Sequence, residues 1–155
     1  MWIIGTCGNE GKTWFQNYVE SLYGYERVAR LDFKSRTQDV LHALSKRPLA
    51  STDIFLFNIP RSTDAPSSCY NVLESIKDGV AISSKYDSKP IRFKTPNVLI
   101  VFSNEPPETK QLSKDRWCIK AIKPSKGTLV SISPNMIYYN QKTGKYCIKN
   151  TSCDE

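Results

Sequence analysis

The stretch Gly5-Thr6-Cys7-Gly8-Asn9-Glu10-Gly11-Lys12-Thr13 decides how the rest of the chain reads. It follows a short apolar run, Trp2-Ile3-Ile4. It leads into a segment where Trp14/Phe15, Tyr18/Val19 and Leu22 recur at three- and four-residue spacing, which predicts a helix with one apolar stripe. Strand, glycine-rich loop and helix together are the context that a phosphate-binding loop requires. Glycines let the backbone wrap so that N–H groups face phosphate oxygens, and the helix N-terminus adds partial positive charge. Gly8, Asn9, Glu10, Gly11, Lys12 and Thr13 are therefore the candidate nucleotide-binding residues. Lys12 would reach the β- and γ-phosphates of ATP, and the Thr13 hydroxyl would ligate Mg2+. Counted from Gly5, the loop is one residue longer than the strict G-x-x-x-x-G-K-[ST] pattern.

Outward from this loop, Gly24 is placed to stop the first helix. Residues 28–33 alternate and read as a strand. Residues 37–46 read as a helix with Val40, Leu41 and Leu44 on one side. Residues 54–59 are apolar and end at Pro60, a buried strand. Ser67 or Ser68 can cap a helix that runs to Asp78 with Val72, Leu73 and Ile76 inward. Residues 80–94 read as two short strands around a turn near Asp87-Ser88, and 98–102 as a further buried strand. Buried strands alternating with helices predict an α/β fold with a parallel sheet covered on both faces. From Ile132 the composition shifts to Tyr, Asn and Lys. Tyr138-Tyr139 and residues 146–148 flank Lys142-Thr143-Gly144, a terminal hairpin. The chain divides on this reading into residues 1–123 and a C-terminal extension, 124–155.

With 155 residues, the chain is one domain's worth, and 39% hydrophobic with 24% charged residues suits a globular protein. The longest apolar runs are strand-sized, so no membrane span is expected, and no secretory leader is read at its start. Five scattered cysteines without a C-x-x-C pair, beside a single histidine, His42, make a zinc site unexpected and suit free thiols in a reducing compartment. Charge is more informative. Residues 1–78 hold nine basic and nine acidic side chains, whereas residues 79–155 hold thirteen and six, so the whole excess of +7 lies in the second half. A one-sided positive field points to a polyanionic partner.

A phosphate loop works with an acidic group at the end of a neighbouring buried strand, which holds Mg2+ through water and polarises the attacking water. The strand 54–59 has Asn58 at that tip, and Asp53 lies at its other end. Asn58 can offer an oxygen to the metal but brings no charge, so nucleotide binding is predicted more firmly than hydrolysis. Asn104 follows the next buried strand, where its amide can touch the γ-phosphate or orient water. Arg116, in Leu112-Ser113-Lys114-Asp115-Arg116, could reach a neighbouring subunit's nucleotide. Lys85, Lys89, Arg92 and Lys94, interleaved with Tyr86 and Phe93, suit phosphate contact with base stacking.

In this order the motifs resemble the superfamily 3 helicase (ATPase) half of the replication-initiator proteins of circular single-stranded DNA viruses, most of all the nanovirus and alphasatellite branch. The shared features are the longer Gly-x-x-Gly-x-Glu-Gly-Lys-Thr loop (5–13), Ile59-Pro60-Arg61, the Glu-x-Ile-Lys-Asp helix end (74–78) followed by Lys85-Tyr86, Phe-Ser-Asn-x-x-Pro (102–107) and Leu-Ser-x-Asp-Arg (112–116). They cover roughly residues 2–122. The resemblance implies a P-loop NTPase of AAA+ type: a central, mostly parallel sheet, helices on both faces and a β-hairpin inserted before the motif C strand. It implies Lys12 and Thr13 in the Walker A roles, Asn58 at the usual Walker B aspartate, Asn104 as sensor and Arg116 as arginine finger. It places Lys85, Tyr86 and Lys89 in a hairpin loop that tracks single-stranded DNA through a homo-oligomeric, hexameric ring. It further implies the host nucleus as the place of action. The family's nicking domain is expected to be absent, because one histidine cannot supply its His pair. Two Tyr-x-x-Lys matches, at 86–89 and 146–149, are read as chance. Two other functions stay open: an ATP-gated DNA-binding module in which Asn58 impairs hydrolysis, and a P-loop small-molecule kinase, disfavoured because residues 97–117 carry one arginine.

Overall fold

Apolar runs with little polar interruption must be covered on both faces, and they become the centre of a sheet. The computed structural model describes residues 1–5, 9–33, 37–60, 67–82, 90–123, 128–142 and 145–148. Its elements are β1 (Trp2–Ile4), α1 (Lys12–Tyr23), β2 (Val28–Asp32), α2 (Thr37–Ser45), β3 (Ile54–Asn58), α3 (Ser67–Asp78), β4 (Val80–Ile82), β5 (Pro90–Arg92), β6 (Val98–Ser103), β7 (Ile119–Lys123), β8 (Thr128–Ile132), β9 (Ile137–Asn140) and β10 (Lys145–Ile148). The six-stranded sheet has the order β2-β3-β6-β1-β7-β8. Every pairing in it is parallel except β7 with β8. This is an α/β fold around a mostly parallel sheet.

Strand alternation sends residues to two separate cores. On the α2/α3 face, Trp2, Ile4, Phe33, Phe55, Phe57, Tyr70, Leu73 and Ile76 pack together. Phe33 stacks on Phe57 with centroids 4.7 Å apart, and Trp2 stacks on Tyr70 at 5.8 Å. On the α1 face, Ile3, Val28, Ile54, Leu56, Ile100 and Phe102 meet Val19.

α1 departs from the expected stripe. Its buried residues are Gln16 and Val19, while Trp14 is 68% and Leu22 57% exposed. Trp14 stacks on Tyr18 with centroids 5.4 Å apart, and Tyr18 is exposed as well. Helical spacing marks which residues share a face; it does not say which face meets the sheet.

β4 and β5 pair antiparallel ahead of β6, forming the anticipated hairpin. Its turn, with Lys85, Tyr86 and Lys89, lies outside the described residues. Phe93 leaves the proposed DNA surface: it is buried and packs edge-on against Phe55 at 5.8 Å. Its place after two alternating strand residues puts it inward. Lys94 pairs with Asp53 at 3.3 Å, and Asp53 also holds Arg27 at 2.8 Å. These pairs fasten the hairpin's base to the amino-terminal end of β3.

Strands β7 and β8 escape a reading built on apolar runs, because Lys120 and Lys123 interrupt β7 and Thr128 and Ser131 interrupt β8. β8 lies beyond residue 123 and pairs with β7 as the edge of the main sheet. β9 and β10 form the expected antiparallel hairpin. Among the described residues, no helix is long and apolar enough to cross a membrane.

Candidate functional site

Parallel strands deliver their carboxyl ends to one edge of the sheet, where open α/β sheets bind ligands. The glycine-rich loop leaves β1 at that edge. Its root is fixed to β6, since Gly5 N–H donates to the Ser103 carbonyl at 2.9 Å. Asn9 and Gly11 both have left-handed φ, 52° and 78°, conformations that Asn tolerates and glycine favours. The Gly11 carbonyl then accepts the first α1 bond from Phe15 N–H at 2.8 Å.

Lys12, at the start of α1, folds back over the loop. Its Nζ donates to the Gly5 carbonyl at 3.1 Å, Glu10 Oε2 at 3.1 Å and Asn104 Oδ1 at 2.9 Å. The Glu10 side chain is nearly buried beneath this contact, with 4% of it exposed. A Cβ on Gly5 would collide with the Glu10 carboxylate and the Lys12 ammonium, so a larger residue here would have to displace the ends of both side chains.

Asn104 is aimed by the tip of β6. Trp2 Nε1 donates to Ser103 Oγ at 2.7 Å, and Ser103 Oγ donates to the Glu105 carbonyl at 2.6 Å. This buried hydroxyl sets the turn that presents Asn104. Two strands from β1, Asn58 ends β3 and donates from Nδ2 to Asp32 Oδ1 at 3.1 Å. Asn9, Glu10, Gly11, Lys12, Thr13, Trp14, Asn58, Ile59, Pro60 and Asn104 line a single cleft of about 440 Å³. An ammonium, a helix N-terminus and three amides around one cleft favour a ligand rich in anionic oxygen.

The predicted site residues thus meet from Asn9 to Thr13, at Asn58 and at Asn104. Gly8 lies outside the described residues. Arg116 stands apart. It pairs with Asp78 at 3.3 Å and lies 3.9 Å from Glu74, both on α3. With Trp2, Leu99, Leu112 and Trp117 it borders a second cavity, of about 460 Å³, at the amino-terminal ends of β1 and β6. Within one chain it does not face the Lys12 cleft. The hairpin is not close to Asn104 either: the six residues of β6 separate them, about 20 Å of strand. The motifs give no site role to Ser103, Asp32 or Trp14. Strand parity could have flagged Asp32, which closes an alternating strand as Asn58 closes β3.

The chain is 34% identical over 117 residues to Para-Rep C7 of the Faba bean necrotic yellows C7 alphasatellite. It is 32% identical over 117 residues to Para-Rep C6 of the Subterranean clover stunt C6 alphasatellite. It is 31% identical over 116 residues to the master replication protein of Faba bean necrotic yellows virus. This is a Rep-like chain. Each match covers 75% of the Rep-like chain and 37–39% of the relative, so the chain spans less than two fifths of the relatives' length. No family model matches the Rep-like chain, and no solved structure matches it significantly.

Proposed function

We propose that the Rep-like chain is the ATP-binding, DNA-handling motor domain of a viral replication initiator, a P-loop ATPase of AAA+ type. The observation that carries this reading is the Lys12 ammonium, set at the N-terminus of α1 and hydrogen-bonded to Asn104 at the tip of the adjacent strand. That pairing couples a phosphate-binding cation to an amide that senses what the cation holds. It also supports a hydrolase over a kinase, because the group beside Lys12 is a water-orienting amide.

The cleft fits a nucleoside triphosphate with magnesium. Lys12 and the loop's N–H groups match the phosphates, and the Thr13 hydroxyl and the Asn58 amide oxygen are hard ligands for the metal. Bound magnesium would neutralise charge on the β- and γ-phosphates. Lys12 would exchange its contacts with Glu10 and Asn104 for phosphate oxygens, releasing the Asn104 amide to orient water. Arg116, remote from its own cleft, would serve a neighbour's nucleotide in a ring, where a fixed cation stabilises charge in the transition state. Lys85, Tyr86 and Lys89 would carry single-stranded DNA, with changes at Asn104 relayed along β6 to the hairpin. A second reading, an ATP-gated DNA clamp, rests on the neutral side chain of Asn58.

The test is ATP binding and turnover with single-stranded DNA at several protein concentrations, for the chain and for Asn58→Asp and Arg116→Ala. Binding by all three, turnover that rises with protein concentration and its loss in Arg116→Ala are expected. Turnover confined to Asn58→Asp selects the clamp, and no nucleotide binding at any concentration overturns the proposal.

A further inference from the structure

We infer that Asp32 is a positioning residue for the proposed nucleotide site, supplying through Asn58 the carboxylate charge that the tip of β3 lacks; this rests on the nucleotide reading above. The parallel register sets Asp32 directly beside Asn58. Parity sends both side chains to the α1 face. Arg30, two residues before Asp32, bonds to Asn17 and Glu20 of α1, and Leu56, two residues before Asn58, lies in the α1-side core. The Asn58 Nδ2 donates to Asp32 Oδ1 at 3.1 Å.

Two consequences follow from chemistry. First, an amide has one donor limb and one acceptor limb. With the donor committed to Asp32, the carbonyl oxygen of Asn58 is turned away from Asp32, and Asn58 lines the cleft. The oxygen that a hard cation or its bound water would use is therefore held in orientation. Second, the pair carries one negative charge, the same as a single ionised carboxylate at residue 58. An aspartate at 58 would instead set two carboxylates in contact, and like charges that close disfavour joint ionisation. Asparagine at 58 is thus matched to aspartate at 32. Asp32 also faces an adjoining hollow lined by Gln16, Glu20, Arg30 and Leu31, so the carboxylate keeps contact with water.

The test is the magnesium dependence of binding of a non-hydrolysable ATP analogue, measured for the chain, Asp32→Asn and the exchange Asp32→Asn with Asn58→Asp. Both substitutions are isosteric, and melting temperatures verify folding. In Asp32→Asn the magnesium midpoint should rise about tenfold, because the hydrogen bond from Asn58 becomes a neutral one and the negative charge behind it is lost. Analogue binding without magnesium should stay unchanged. The exchange should return the midpoint to within about threefold of the original, since the same charge is restored one strand over. An unchanged midpoint in Asp32→Asn, or an exchange that fails to restore it, overturns the role of Asp32 alone. If the unmodified chain binds no analogue with or without magnesium, the nucleotide reading falls and this inference with it.

Discussion

Glu10 illustrates what a motif does not say about its own residues. The loop pattern marks it as part of a phosphate cradle, yet its carboxylate is tucked under Lys12 at 3.1 Å and shielded from solvent. An anion entering the cleft must compete with this internal one for the same ammonium. Glu10→Gln should therefore tighten binding of a fluorescent ATP analogue by about 3- to 10-fold, on the scale of a charge-assisted hydrogen bond. Weaker binding would instead mean that the carboxylate itself contributes to holding the nucleotide complex. Lys12→Ala removes the cation altogether and should reduce affinity by about 10- to 100-fold in the same titration. The residue types at 10, 12, 58 and 104 were legible from the sequence. That Lys12 meets Asn104, while Asn58 meets Asp32, was not, because these contacts join residues 92 and 26 positions apart.

Among the elements, α1 and β3 bury themselves differently. Leu56, in the middle of β3, is fully buried, and Leu56→Ala should cost about 2–5 kcal/mol in denaturant unfolding. Trp14 and Tyr18 stack on each other in the open, and Trp14→Ser should change stability by no more than about 0.5 kcal/mol. A large loss from Trp14→Ser would mean that the α1 stripe is covered in the folded protein. The hairpin's base makes a third case. Arg27, first, and then Lys94 hold the Asp53 carboxyl below its ordinary range by hydrogen bonding to its charged form. The contribution of such a lowered carboxyl is present above its unfolded pKa and is lost as pH falls through the folded one. Asp53→Asn should thus lower the melting temperature by about 1–3 °C at pH 7, the scale of an exposed ion pair in a domain of this size. The gap between variant and parent should close in acid, below the ordinary carboxylate pKa of about 3.9; a gap independent of pH would assign the effect to packing.

On the scale of the whole molecule, the sheet separates two working ends. Lys12, Asn58 and Asn104 share the carboxyl edge, while Arg116 and the hairpin's base sit at the amino edge. For the proposed motor, Lys85→Ala should leave nucleotide binding intact and weaken single-stranded DNA binding, with the log–log salt slope reduced by about 0.7 for the lost phosphate contact. Equal DNA affinity for parent and variant would remove Lys85 from the DNA path. The sequence by itself determined the order and type of the elements from the loop to β6, the hairpin ahead of β6, and the kinship with viral replication proteins. Local periodicity, turn residues and ordered motifs carry that information because they depend on neighbours a few residues away. Only the tertiary structure decided that β6 lies between β1 and β3, which puts Asn104 rather than Asn58 beside Lys12. The same non-local pairing turned the aromatic stripe of α1 outward, drew Phe93 into the core, brought Asp32 to Asn58 and carried Arg116 to the opposite edge. Strand order and helix facing follow from which distant surfaces bury each other, and side-chain spacing along one segment contains no record of that choice.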